Sequence, residues 1–286
     1  MDKTRVSIAQ VKLSQFEQSA KENKLMDYAR EAKEDKNADL LLFPELYSPG
    51  YIIPRNREFG LEYYHAVEEI PGRLTDFLCQ TASRYGLYLI VGMGRRHSNL
   101  PGVMYNSAVL VGPGGELIGV QDKIHIPGYE KQYFEAGVEV QAFETEIGRI
   151  GMGICYDNQF PEYTRLLTLD GCTIICMLWC MPNYGSHPSS FLQSITATRA
   201  VENRCYALSC NPVGSVSNQT EDQFVGGSCA SDPVGNILVA GSSTEEELLT
   251  VEIDHNLVIQ ERVYQPVFND RRPDLYQALM SKARTK

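Results

Sequence analysis

The chain lacks the marks that would send it outside the cell, into a membrane or onto a nucleic acid. Its first residues, Met1-Asp-Lys-Thr-Arg5, carry no apolar signal-peptide core. None of the eight cysteines is paired as Cys-x-x-Cys, so they read as reduced thiols of a cytoplasmic protein. The longest stretch free of Asp, Glu, Lys and Arg, Gly171 to Thr198, is interrupted by Pro182, Asn183, Ser186 and His187, which excludes a membrane span. A net charge of −10 with no basic stripe argues against nucleic-acid binding. Low-complexity linkers, short-period repeats and abrupt composition shifts are missing too, and residues 1–286 read as a single domain.

Familiar catalytic signatures are absent as well. There is no G-x-S-x-G, no H-E-x-x-H and no P-loop, and Gly92-Met-Gly94 and Gly151-Met-Gly153 each lack the third glycine of a dinucleotide fingerprint. Cys172, Cys176 and Cys180 are four apart, which on a strand puts them on one face with Ile174 and Leu178, a packing pattern. His125 and His187 have no companion at ligand spacing, so no metal site is expected.

What is present is a mixture of helical and strand patterns. Arg5 to Val11 reads as a first strand, and Ser14 with Glu17 as a capping box. Phe16, Ala20, Leu25, Tyr28, Ala29 and Ala32 mark one face of a long helix. Ala38 to Phe43 is a continuous apolar run, as in a strand buried on both faces. Residues 47–65 read as loop, a helix follows Pro71-Gly72, and a strand from Leu87 closes at Gly92. Asn106 to Val111 and Leu117 to Gln121 flank Pro113-Gly-Gly115 as a hairpin. Further strands are expected at Ile150 to Ile154, Thr173 to Trp179 and Tyr206 to Cys210, with a helix from about Ser190 to Asn203. The last third reads as hairpins followed by a helix from Pro273. Alternation of this kind implies α/β architecture, a mixed sheet or two sheets covered by helices.

The run Arg149-Ile-Gly-Met-Gly-Ile-Cys155-Tyr-Asp-Asn-Gln-Phe-Pro161-Glu162 ends a strand on a cysteine. Pro161 suits the first turn of a helix, which places Cys155 between strand and helix. There the unpaired N–H groups and the dipole would favour a thiolate, and the Tyr156 N–H could hold an oxyanion. The alternative is that Cys155 is a buried small hydrophobe. Glu45 and Lys123 also stand where apolar strands end. Carboxylate, ammonium and thiol form an acyl-transfer set of base, cation and nucleophile, gathered where α/β sheets place functional groups.

Leu42-Phe-Pro-Glu45, Tyr105-Asn-Ser107 with Lys123-Ile-His125, and Cys155-Tyr-Asp-Asn-Gln-Phe-Pro-Glu162 occur in this order. Arg199-Ala-Val-Glu-Asn203, Asn211-Pro-Val-Gly214 and Arg271-Arg-Pro-Asp-Leu-Tyr276 follow. In these motifs, over nearly its whole length, the chain resembles the nitrilase superfamily of carbon–nitrogen hydrolases. The resemblance implies a four-layer αββα sandwich, a homodimer or larger homo-oligomer, and no cofactor. It implies that Cys155 attacks a small-molecule amide to form a thioester, that Glu45 is the general acid and base, and that Lys123 with the Tyr156 N–H holds the oxyanion. Glu130 matches a second glutamate that orients the lysine, while Glu162, Arg199 and Glu202 match structural positions. Tyr156-Asp157 looks like the amidase and N-carbamoyl amidohydrolase branches rather than the nitrile-cleaving one. Asn158-Gln159 stand where N-carbamoyl-D-amino-acid hydrolases usually carry carboxylate-binding arginines. Trp179, Asn183 and His187 are candidate pocket residues, with Trp179 equally readable as core. The expected function is hydrolysis of a small linear amide or N-carbamoyl amine with release of ammonia. Nitrile hydrolysis, acyl transfer and a non-catalytic regulatory member of the fold are the alternatives.

Overall fold

A computed structural model describes residues 3–52, 56–182, 190–215 and 223–282. The candidate pocket residues Asn183 and His187 lie outside the described residues. In chain order the first half holds β1 (Lys3–Gln10), α1 (Gln18–Glu34), β2 (Leu40–Leu42), α2 (Arg57–Ala66), α3 (Arg73–Tyr85), β3 (Tyr88–Arg96), β4 (Met104–Val111) and β5 (Leu117–Asp122). The second holds β6 (Ala142–Phe143), β7 (Ile150–Ile154), α4 (Pro161–Leu169), β8 (Ile174–Leu178), α5 (Phe191–Asn203), β9 (Tyr206–Cys210), β10 (Val213–Ser215) and β11 (Gln223–Val225). It ends with β12 (Cys229–Ser231), β13 (Ile237–Ala240), β14 (Glu247–Asp254), α6 (His255–Tyr264) and α7 (Pro273–Ser281).

Two six-stranded sheets, in the orders β14-β1-β2-β3-β4-β5 and β13-β12-β9-β8-β7-β6, carry the fold. Each has three parallel strands at its centre, β1-β2-β3 in one and β7-β8-β9 in the other, with antiparallel strands outside them. The two-residue period of a strand sorts the side chains into layers. Val6, Ile8, Leu40, Leu42 and Ile90 of the first sheet pack against Ile150, Met152, Ile154, Ile174 and Leu178 of the second. Leu41, Leu89 and Val91 point the other way, onto Leu25 and Ala29 of α1 and Leu78 and Ala82 of α3. On the far side, Ile175, Met177 and Ala207 meet Tyr163 and Leu167 of α4 and Leu192 and Ala200 of α5. The result is the αββα sandwich, and it explains why β2 is apolar at every position: both its faces are covered. No helix among the described residues is long and apolar enough to cross a membrane.

Several local expectations are corrected. The Ser14–Glu17 capping box does not form: α1 starts at Gln18, its N-cap is Glu17 without a side-chain cap bond, and Phe16 sits at φ +57°. Within residues 47–65 the structure holds α2, capped by Asn56, whose side chain accepts the Phe59 N–H. β3 does not close at Gly92 but continues to Arg96. β14 does not form a hairpin with β13; it returns to the other sheet and pairs antiparallel with β1, Val6 opposite Val251. α6, which follows it, has a weak apolar pattern that sequence reading passed over.

Candidate active site

Three strand ends meet at the site. The chain leaving β2 passes over β3 so closely that a Cβ on Gly92 would stand 2.4 Å from the Pro44 carbonyl oxygen and 2.6 Å from the Glu45 Cα. Only glycine permits that crossing. Leu46 then takes φ +45°, turning the chain away and leaving the Glu45 side chain fully buried. The Cys180 thiol donates to the Glu45 carbonyl at 2.9 Å.

Lys123 follows β5. Its backbone N–H donates to the Asn106 carbonyl on β4 at 2.8 Å. Its ammonium donates to Glu45 Oε1 and to Glu130 Oε2, each at 2.7 Å, with all three side chains at most 2 % exposed. Asn106 Nδ2 donates to the same Glu45 Oε1 at 2.7 Å, whereas Glu45 Oε2 is buried and has no partner among the described residues. One carboxylate oxygen is thus committed and the other is open.

Cys155 ends β7 and opens a 3-10 turn, Cys155–Gln159, at φ +46°. For a non-glycine residue that conformation costs roughly 1–2 kcal/mol and must be held by its surroundings. Asp157, fully buried, is the main clamp. Its carboxylate accepts the N–H groups of Ile124, His125 and Ile154 and bonds His125 Nδ1 at 2.8 Å, so it ties the lysine segment to the cysteine turn. The His125 ring stacks on Phe160 at 3.9 Å. From α5, Arg199 donates to the carbonyls of Asn158 and Gln159 and pairs with Glu202 at 2.9 Å.

The charges follow from burial and proximity. Burial disfavours the Lys123 ammonium, but Glu130, Glu45 and Cys155 outweigh it and hold the lysine well above its ordinary range. Burial pushes the Glu130 carboxyl up to about 7, with Lys123 opposing and Glu45 reinforcing. Cys155 keeps part of its surface open. Burial first, then the charge of Glu45, push its thiol well above the usual range; Lys123 and the Cys180 backbone N–H pull the other way without prevailing. These surroundings run against the thiolate expected from the helix dipole and favour the thiol form. The physical reason is distance and company. α4 begins only at Pro161, beyond the 3-10 turn, and the nearer influences are two carboxylates.

Of the residues singled out from the sequence, Glu45, Lys123 and Glu130 are joined by hydrogen bonds, and Cys155 feels the charge of all three. Tyr156 lines an open hollow of about 660 Å³ with Ile124, His125, Ile126, Phe134 and Lys131 among its walls. Trp179 belongs to the core: it is fully buried, its indole N–H donates to Ser209 Oγ at 3.0 Å, and its ring meets Phe191 edge-on. Among the described residues no group of three or more His, Cys, Asp or Glu is placed to hold a metal ion. Sequence reading met Asp157 and Asn106 only as parts of motifs and Cys180 only as a packing residue, and gave none of them a place in the site. A signal for Asn106 exists: it shares a strand face with Met104, Ala108 and Leu110, where a polar residue must find a partner.

Fold and site together define a nitrilase-type α/β enzyme. The family model for carbon–nitrogen hydrolases matches residues 5–262, and the chain belongs to that family. It is 33% identical over 249 residues to a nitrilase of Pyrococcus abyssi, covering 84% of this chain and 87% of that protein. It is 31% identical over 248 residues to a 2-oxoglutaramate amidase of Bacillus subtilis, covering 85% and 89%. The solved structure of a carbon–nitrogen hydrolase from Helicobacter pylori superimposes with a TM-score of 0.85 at 24% identity, over 98% of this chain and 99% of that one, and so shares the fold. The chain is a hydrolase of carbon–nitrogen bonds.

Proposed function

We propose that the enzyme hydrolyses a small linear amide or N-carbamoyl amine through a thioester on Cys155. The observation that carries this reading is the buried Glu45–Lys123–Glu130 set, with one Glu45 oxygen held and the other open. In the first step Glu45 Oε2 takes the thiol proton as the sulfur attacks the carbonyl carbon. A base is needed because burial and the nearby carboxylates favour the thiol form of Cys155. Lys123 and the Tyr156 N–H stabilise the oxyanion; losing one such donor typically costs about 10²–10³ in rate. Glu45 returns the proton to the leaving nitrogen, ammonia departs, and the thioester remains. Glu45 then draws a proton from water, which attacks the thioester and frees the acid and the thiol. Glu130 fixes the Lys123 ammonium throughout.

The similarity to a protein named 2-oxoglutaramate amidase supports an amide substrate, as does Tyr156-Asp157 after the nucleophile. The test is a panel of short aliphatic amides, ω-amides of dicarboxylic acids, N-carbamoyl amines and a nitrile, with Cys155→Ala as the blank. Ammonia and carbon dioxide are scored separately. Ammonia from an amide, or ammonia with carbon dioxide from a carbamoyl amine, is expected from the wild type and not from the blank. Turnover of the nitrile alone, or equal activity in Cys155→Ala, would contradict the reading.

A further inference from the structure

Asn106 bonds both Lys123 and Glu45. Its backbone carbonyl accepts the Lys123 N–H at 2.8 Å, and its side-chain amide donates to Glu45 Oε1 at 2.7 Å. Asn106 also favours the charged form of the Glu130 carboxylate. The residue is fully buried near the start of β4, opposite Gly94 of β3 on one side and bonded to the Lys123 N–H on the other, which fixes its backbone. A buried asparagine on an apolar strand face costs stability unless it is paired. Here the Asn106 Nδ2 is spent on Glu45, and its Oδ1 is buried with no partner among the described residues.

We propose that Asn106 is a positioning residue for the hydrolysis: it locks the orientation of the Glu45 carboxylate, keeping Oε1 turned to Lys123 and Oε2 free for the Cys155 proton. The inference rests on the reading of Glu45 as base. Without the Asn106 amide, Lys123 alone anchors Oε1, and the carboxylate can rotate about its terminal torsion, which is soft. Losing a donor also makes a carboxylate bind its proton more tightly. The base would then be misdirected.

The experiment reads the base without needing a substrate. Iodoacetamide alkylates Cys155, the sulfur displacing iodide while the thiol proton passes to Glu45, and peptide mapping by mass spectrometry follows that site alone. Rates are measured from pH 5 to 9 for the wild type, Asn106→Leu, Asn106→Asp and Glu45→Gln, with thermal unfolding as the check on folding. Asn106→Leu should move the midpoint of the profile up by about one pH unit, a loss of about 10-fold in rate on the acid side. Asn106→Asp, of the same shape, should move it further, because it places a like charge beside Glu45 and Glu130. A purely structural role would lower rates at all pH values alike; an unmoved midpoint in either folded variant overturns the proposal. Loss of folding in both variants would assign Asn106 to the scaffold and overturn it too. If Glu45→Gln alkylates like the wild type, the reading of Glu45 as base fails instead.

Discussion

Lys123 sits between two carboxylates in a space closed to water, so the site stores its chemistry as charge. Three buried ionisable groups within 2.7 Å contacts are costly to assemble and costly to break. The Glu130 carboxyl, pushed up to about 7, shows where the strain settles. Its folded value lies above the roughly 4.3 of a free glutamate. The proton it holds therefore contributes stability that is complete below about pH 4 and is lost as pH rises through about 7. Glu130→Gln removes this dependence. Urea unfolding at pH 4 and pH 8 should show the wild type losing stability relative to Glu130→Gln between the two. Parallel pH dependences in the two proteins would show that Glu130 ionises normally.

At the scale of elements, the site depends on how strands end. Glu45, Lys123 and Cys155 were singled out because each stands where an apolar strand ends and because the motifs around them resemble those of the nitrilase superfamily. What brings the three ends together was not legible, since pairing across the fold leaves no local mark. β14 shows this: its pattern fits a hairpin with β13, yet its partner is β1, more than two hundred residues away. α2 was hidden for a local reason. Gly60 breaks its helical pattern, and the structure explains the glycine by the Tyr133 ring, which a Cβ would approach to 3.1 Å. The capping signal at Ser14 and Glu17 failed because the chain turns at Phe16 before α1 can start. Gly92 offers a test of the strand crossing. Gly92→Ala drives a Cβ into backbone atoms of Pro44 and Glu45. A loss of about 1–3 kcal/mol with a larger fall in kcat is expected, from thermal unfolding and steady-state rates. Gly128→Ala, with nothing within 4 Å of its Cβ, is the control. Unchanged kcat in Gly92→Ala would mean that the crossing does not set the Glu45 position.

At the scale of the molecule, the two sheets bury each other, and the helices cover their outer faces. The covering is uneven. Ile259, Val263 and Tyr264 of α6 are 61%, 76% and 81% exposed, and Leu166 and Leu169 of α4 are exposed nearby, where Arg165 and Arg262 both lie over the Phe268 ring. We propose that a second copy of the chain covers this apolar surface. Light scattering should give at least twice the 32.1 kDa chain mass. Val263→Glu with Ile259→Glu should lower it to that of one chain. A monomeric wild type would refute the assembly without touching the chemistry.

The central claim is the thioester on Cys155. With an amide found in the panel, the enzyme is quenched in acid during turnover and its peptides are weighed. The Cys155 peptide alone should gain the mass of the substrate's acyl group, and Cys155→Ala should gain none. Steady turnover with no acyl group on Cys155, or with the group on Cys79 or another thiol, would contradict it.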